Sequence, residues 1–149
     1  MKPVLTHIAL RVADVDRTIA FYRKHVGLRV VHERNDGGMR VVWLGEDEPD
    51  VDFVLVLLPI GTPTDARGNL LHLGFAVGSR EEVDAAAAAA RIDGILAVEP
   101  VYGGPIVGYF CIVADPDGNQ VEFSYGQPIN PRDLPPDRET GRSVEDPGR

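Results

Sequence analysis

The stretch "HIALRVADVDRTIAFY", His7 to Tyr22, decides the fold because its period changes in the middle. Ile8, Ala9, Leu10 and Val12 read as a strand, with His7, Ala9 and Arg11 on one face by alternation. Asp14 is an N-cap residue. Beyond it Val15, Ile19, Tyr22 and Val26 fall at i, i+4, i+7 and i+11, one face of a helix that Gly27 ends. The imidazole at the head of the strand needs partners among apolar neighbours. For a single such residue the plain reading is a core histidine bonded to backbone.

The same pattern restarts downstream. "HLGFAVGS" (72–79) lies over "HIALRVAD" (7–14) at an offset of 65 residues. His72 falls on His7, Leu73 on Ile8, Phe75 on Leu10, Val77 on Val12, and Ser79 on the cap Asp14. Beyond the caps only composition is shared, so this is a weak internal duplication that keeps its histidine in register. "SREE" (79–82) is a capping box ahead of an alanine-rich helix to about Arg91. Period-2 apolar segments predict strands at 4–12, 28–35, 38–45 and 51–58, then at 69–77, 95–101, 107–114 and 120–125. "NDGG" (35–38) signals a hairpin, "PIGTPTDARG" (59–68) a loop, and "DPDGN" (115–119) a tight turn. The order is β-α-β-β-β twice. That is an α+β pattern of two tandem βαβββ modules, about 4–58 and 69–125, within a single domain at 1–126. The segment 127–149 holds five of the chain's twelve prolines with mixed charge, and reads as an extended or disordered tail.

Charge and composition exclude several classes. A formal net charge of −8 over 149 residues, with no Lys/Arg cluster, argues against nucleic acid and against anionic membrane surfaces. No apolar run approaches the ~18 residues of a membrane span, and the N-terminus lacks the pattern of a secretory signal. Cys111 is the one cysteine, which suits a reducing cytoplasm. No P-loop or dinucleotide fingerprint occurs, so no nucleotide cofactor is expected.

Two histidines at equivalent strand positions approach one another if the halves pack about a pseudo-two-fold axis. Glu122 in "DPDGNQVEF" sits between apolar Val121 and Phe123, and an ionised carboxylate there needs a cation or donors. His7, His72 and Glu122 are therefore the expected ligands of a divalent metal ion. Two imidazoles and one carboxylate leave positions open, a catalytic arrangement that suits Fe(II), Mn(II), Ni(II) or Zn(II).

These features together resemble the vicinal oxygen chelate superfamily, the glyoxalase/bleomycin resistance/dioxygenase proteins. "HIALRVADVDRTIAFYRKHVGL", "LHLGFAV", "DPDGNQVEF" and the doubled module carry the resemblance, which covers residues 4–125. It implies that the two modules form a cupped mixed sheet, and it implies the same three metal ligands. Relatives resembling glyoxalase I or methylmalonyl-CoA epimerase add a Glu or Gln ligand on the fourth strand. Here that strand reads "FVLVLL" (53–58), with Asp52 the nearest acid. A three-ligand site is more similar to fosfomycin-modifying enzymes or extradiol dioxygenases, and a true glyoxalase I is not expected. Those relatives need a basic or acid/base group as well. Arg11, on the face of His7, and Tyr109, on the seventh strand, are the candidates alongside Glu122 itself, although the plainer reading of Tyr109 is a sheet aromatic. Trp43 reads as core or cavity wall, and Cys111 as a small buried hydrophobe.

The expected function is a metal-dependent enzyme that holds two neighbouring oxygens of a small-molecule substrate, with lyase, isomerase, transferase and dioxygenase chemistry all open. The alternative is a sequestering protein that binds a ligand without catalysis, as bleomycin-resistance relatives do. A cytoplasmic homodimer is expected, because a four-stranded sheet with one helix does not close a cup alone.

Overall fold

The computed structural model of the chain describes residues 5–46, 51–60 and 70–129. The elements follow the doubled order: β1 (His7–Arg11), α1 (Val15–Phe21) continued by a π-helical turn (Tyr22–Val26), β2 (Arg29–Asp36), β3 (Met39–Gly45) and β4 (Val54–Leu58). Then come β5 (His72–Ala76), α2 (Arg80–Ile92), β6 (Leu96–Tyr102), β7 (Tyr109–Ala114) and β8 (Gln120–Tyr125). Among the described residues two compact units result, one from those up to residue 60 with Asp115–Asn119, the other from 70–114 with 120–129. Their sheets have the same strand order, β1-β4-β3-β2 and β5-β8-β7-β6, with the first strand of each parallel to its neighbour. The duplication is therefore one of topology as well as sequence. Most of the expected loop at 59–68 and of the tail at 127–149 lies outside the described residues.

In the first unit, Gly37 and Gly38 both take positive φ (61° and 95°) between the paired residues Asp36 and Met39. This is the two-residue hairpin that "NDGG" predicts. Leu10, Val42, Leu44, Leu55 and Leu57 are buried on one face of the sheet. Arg40, on that same side, reaches Asp16 of α1 at 2.7 Å, so this is the face the helix covers. The N-cap is as expected: Asp14 accepts the Arg17 N–H at 3.0 Å. The helix itself departs from the expectation. It changes to a π turn at Tyr22, and the buried positions are Val15, Thr18, Phe21 and Tyr22, while Ile19 and Val26 are half-buried. Val15 and Tyr22 are buried as expected, and Thr18 and Phe21 take the place of Ile19 beside them, a small rotation of the same helical face.

The "DPDGN" turn belongs to this first unit and does more than reverse the chain. Asp117 accepts the Ala13 N–H at 2.9 Å and the Thr18 hydroxyl at 3.3 Å. Buried Asp115 accepts the Tyr22 hydroxyl at 3.1 Å and, within the turn, the amides of Asp117 and Asn119 at 3.0 and 2.8 Å. Burial and then the Asp115 charge hold the Tyr22 hydroxyl protonated far above its usual range. The two aspartates thus fasten the turn to α1.

In the second unit, Ser79 caps α2 through the Glu82 N–H at 3.3 Å. The Glu82 carboxylate reaches back to the Gly78 N–H at 2.6 Å, one residue beyond the reciprocal bond of a standard capping box. Val83, Ala87 and Ala90 are the buried side of the helix. The Cys111 thiol lies 3.7 Å from the Val83 carbonyl, so α2 covers the face of β7 and β8 that carries Cys111, Val113, Val121 and Phe123.

Candidate functional site

Each sheet has its own helix on one face only, and the expected ligands occupy the other. In the first unit, His7, Ala9 and Arg11 alternate out of β1 and are exposed. Their neighbours in register on β4 are Val54, Val56 and Leu58. The His7 Nδ1 lies 3.0 Å from the Thr6 hydroxyl, a bond that orients the ring. Arg11 has no ion-pair partner among the described residues. The β4 face beside His7 is aliphatic, so the structure places no carboxylate or amide there.

In the second unit, His72, Gly74 and Ala76 share a face with Gln120, Glu122 and Ser124 of the adjoining β8. Glu122 is only 6% exposed. Its Oε2 lies 3.9 Å from the His72 Nε2. That is too long for a hydrogen bond. Two donors of one ion at ~2.0–2.2 Å from it stand roughly 3.0–3.5 Å apart. Gly74 is the residue directly opposite Glu122, and a Cβ built there meets nothing within 4 Å. The carboxylate consequently faces open space beside an imidazole rather than a donor that would neutralise it. One buried acid, one exposed imidazole and a vacant flank fit a divalent cation in chemistry, and the pair must close by a few tenths of an ångström to share one. Within neither unit do three His, Cys, Asp or Glu side chains gather among the described residues to hold an ion. Gly74 was invisible to the sequence argument, since only the β5–β8 register sets it across from Glu122.

Tyr109 lies on the opposite face of the second sheet. It pairs with Tyr125, its hydroxyl bonds Asp84 of α2 at 2.7 Å, and the Arg80 guanidinium stacks 4.7 Å from its ring centre. Odd-numbered residues of β7 face the helix and even-numbered ones share the side of Glu122, so Tyr109 is a helix-docking residue on the face away from His72 and Glu122. Cys111 is fully buried, and desolvation followed by the Asp84 charge raises its thiol to about 11. It is the inert hydrophobe expected. His25 packs on Phe21 at 5.1 Å between ring centres. His32 pairs across strands with Trp43, their rings 4.9 Å apart, on the same face of the first sheet as His7.

Comparison with known proteins gives a consistent picture. The Glyoxalase/Bleomycin resistance protein/Dioxygenase superfamily profile matches residues 4–123. An uncharacterized protein of Pseudomonas aeruginosa is 45% identical over 132 residues, 88% of this chain and 94% of its own length. A possible glyoxalase from Bacillus cereus is similar in structure at TM-score 0.61 and 25% identity, covering 81% of this chain and 97% of that one. A fosfomycin resistance protein from Listeria monocytogenes, solved with Mn(II) and 1S,2S-dihydroxypropylphosphonic acid, shares the fold at TM-score 0.65 and 20% identity, covering 87% and 96%.

Proposed function

The chain belongs to the Glyoxalase/Bleomycin resistance protein/Dioxygenase superfamily, and on that premise we propose that it is a divalent-metal-dependent enzyme acting on a small substrate with two adjacent oxygens. His7, His72 and Glu122 are the proposed ligands, with Fe(II), Mn(II), Ni(II) or Zn(II) the fitting ions. The observation that carries the reading is Glu122, buried to 6% exposure with His72 as its neighbour at 3.9 Å and open space on its other flank. A carboxylate kept in such a place without a donor set is costly unless a cation completes it. When bound, the ion supplies Lewis acidity toward the two substrate oxygens.

The chain's own residues define the rest. Thr6 holds the His7 ring, leaving its Nε2 as the outward donor. Arg11, two residues along the same face, offers a fixed positive charge to an anionic group of the substrate. Val54, Val56 and Leu58 exclude water from the flank of His7 and hold no proton to exchange. Proton abstraction by a β4 carboxylate is therefore not part of this reading. The active species is proposed to be a homodimer, since each sheet's site face lacks a covering layer within its own unit.

Metal content after dialysis against each of the four ions, with calorimetric affinities, tests the proposal. One ion per chain is expected, with at least tenfold weaker binding in His7→Ala, His72→Ala and Glu122→Gln, and no change in Tyr109→Phe. Failure of all four ions to bind, or binding indifferent to Glu122→Gln, overturns it. Tight retention of a small molecule with no ion would point to sequestration.

A further inference from the structure

The first unit carries a cavity of about 500 Å³ on the face of its sheet that α1 leaves bare. Arg29, Val30, Val31, His32, Trp43, Val51 and Val54 line it. Three features of the chain build it. A bulge in β2, where Val30 pairs with Leu44 but His32 pairs with Trp43, inserts Val31 as an extra residue and bends the strand. Gly45 lacks the side chain that would fill the floor: a Cβ there would lie 2.8 Å from Val51 and 3.1 Å from Val31. Trp43 forms a flat wall, held by His32 on one side and by the Arg34 guanidinium 5.6 Å from its centre. Its indole N–H is enclosed and has no hydrogen-bond partner among the described residues, which a wall built only to close a core would seldom leave so.

Register locates the cavity relative to the site. Val54, in its lining, is the direct β4 partner of His7. Adjacent strands are about 4.8 Å apart, so the near wall begins one strand from His7 and the Trp43 ring lies two strands, roughly 10 Å, away. A group bonded directly to the carbon that bears the chelating oxygens spans the first of these distances. The volume lies within the ordinary range for small-ligand sites. The described lining has four valines, one indole, one imidazole and one guanidinium, and no carboxylate, in a chain of net charge −8.

We propose that this cavity is a ring subsite, and that the substrate class is a small aromatic oxyacid whose aryl group sits against Trp43 and the valines. The proposal rests on the metal reading above for where the acid end binds, and on the first unit alone for where the ring binds. Flat apolar walls accept an aryl face, and Arg29 and His32 suit its electron-rich or oxygen-bearing edge. An aliphatic methyl in the same place would leave most of the cavity unfilled.

Mandelate and lactate separate the two parts, because they present the same hydroxyl and carboxylate and differ only in phenyl against methyl. Trp43 is the chain's one tryptophan, so its emission reports the cavity directly. With Mn(II)-loaded protein, mandelate is expected to bind at least tenfold tighter than lactate and to shift or quench that emission. Metal-free protein should still show the mandelate response, at higher concentration, and none with lactate. Val51→Phe, which fills the cavity from outside the strands, should reduce mandelate affinity to that of lactate and leave Mn(II) affinity unchanged. Where Val51→Phe does not fold, Trp43→Leu read by calorimetry serves the same purpose. Equal affinity for the two acids, or mandelate binding that leaves Trp43 emission unmoved, overturns the ring subsite even if Mn(II) binds as proposed. A mandelate response that survives while no metal binds would instead overturn the metal reading and keep the subsite.

Discussion

Gly108 stands just before β7 and offers a quantitative check on how the strand carrying the buried face of the second unit is anchored. Its φ is +78°, and it is buried. It accepts the Gly103 N–H and donates its own N–H to the Gly104 carbonyl, both at 2.8 Å. A Cβ at this position would fall 2.3 Å from the Tyr125 carbonyl oxygen and 2.9 Å from the Gln127 nitrogen, both backbone atoms. Gly108→Ala therefore carries two separate penalties. The left-handed backbone costs an L-residue about 1–2 kcal/mol. Forcing two stretches of backbone apart adds about 1–3 kcal/mol, as overpacking does elsewhere. Gly94 supplies the control: its φ is +70°, yet a Cβ there meets nothing within 4 Å. Gly94→Ala should show the conformational cost alone. At roughly 2–4 °C per kcal/mol for a chain of this size, Gly94→Ala should lower the Tm by about 2–8 °C and Gly108→Ala by about 4–20 °C. Paired thermal melts by circular dichroism, with Gly108→Ala at least ~3 °C below Gly94→Ala, check the reasoning. Equal shifts in the two variants would refute the contact with Tyr125 as the source of the cost.

Three further outcomes follow from named contacts. Tyr22→Phe removes the buried hydroxyl that bonds Asp115 at 3.1 Å and should destabilise by about 1–2 kcal/mol in urea melts, with α1 and the 115–119 turn losing hydrogen-exchange protection together. Cys111 has its pKa raised from 9.0 to about 11, so the folded state holds the proton more tightly. Its stabilising contribution is complete below pH 9 and is lost as pH rises toward 11; Cys111→Ala should flatten the Tm decline across that window, and an unchanged decline would count against it. The methylglyoxal–glutathione hemithioacetal should show negligible isomerisation with Ni(II), Zn(II) or Co(II), because β4 presents Val54, Val56 and Leu58 beside His7. Robust turnover in the wild-type chain would mean that a base reaches the substrate from elsewhere, with Asp52 the first to mutate.

The sequence by itself determined the doubled β-α-β-β-β order, the places of all eight strands, both N-caps and the glycine hairpin. It did so because each rests on local physics: period-2 alternation, a side-chain oxygen three residues before an orphan amide, and two glycines free to take positive φ. It also set the alternation along β5 and β8, whereas the β5–β8 register decides that His72 and Glu122 share a face. What it left open depends on which strands become neighbours. The pairing of Gly74 with Glu122 opens the flank of the carboxylate, and only the β5–β8 register creates it. Tyr109, a candidate from its place on the seventh strand, is sent to α2 by parity on β7. On α1 the expected face kept Val15 and Tyr22 but turned toward Thr18 and Phe21 in place of Ile19, a rotation within the ordinary helical period that only the contact of Thr18 and Tyr22 with the 115–119 turn selects. The cavity beside Trp43 arises from a one-residue bulge, a missing Cβ at Gly45 and a valine outside the strands, three positions that a linear reading has no reason to join.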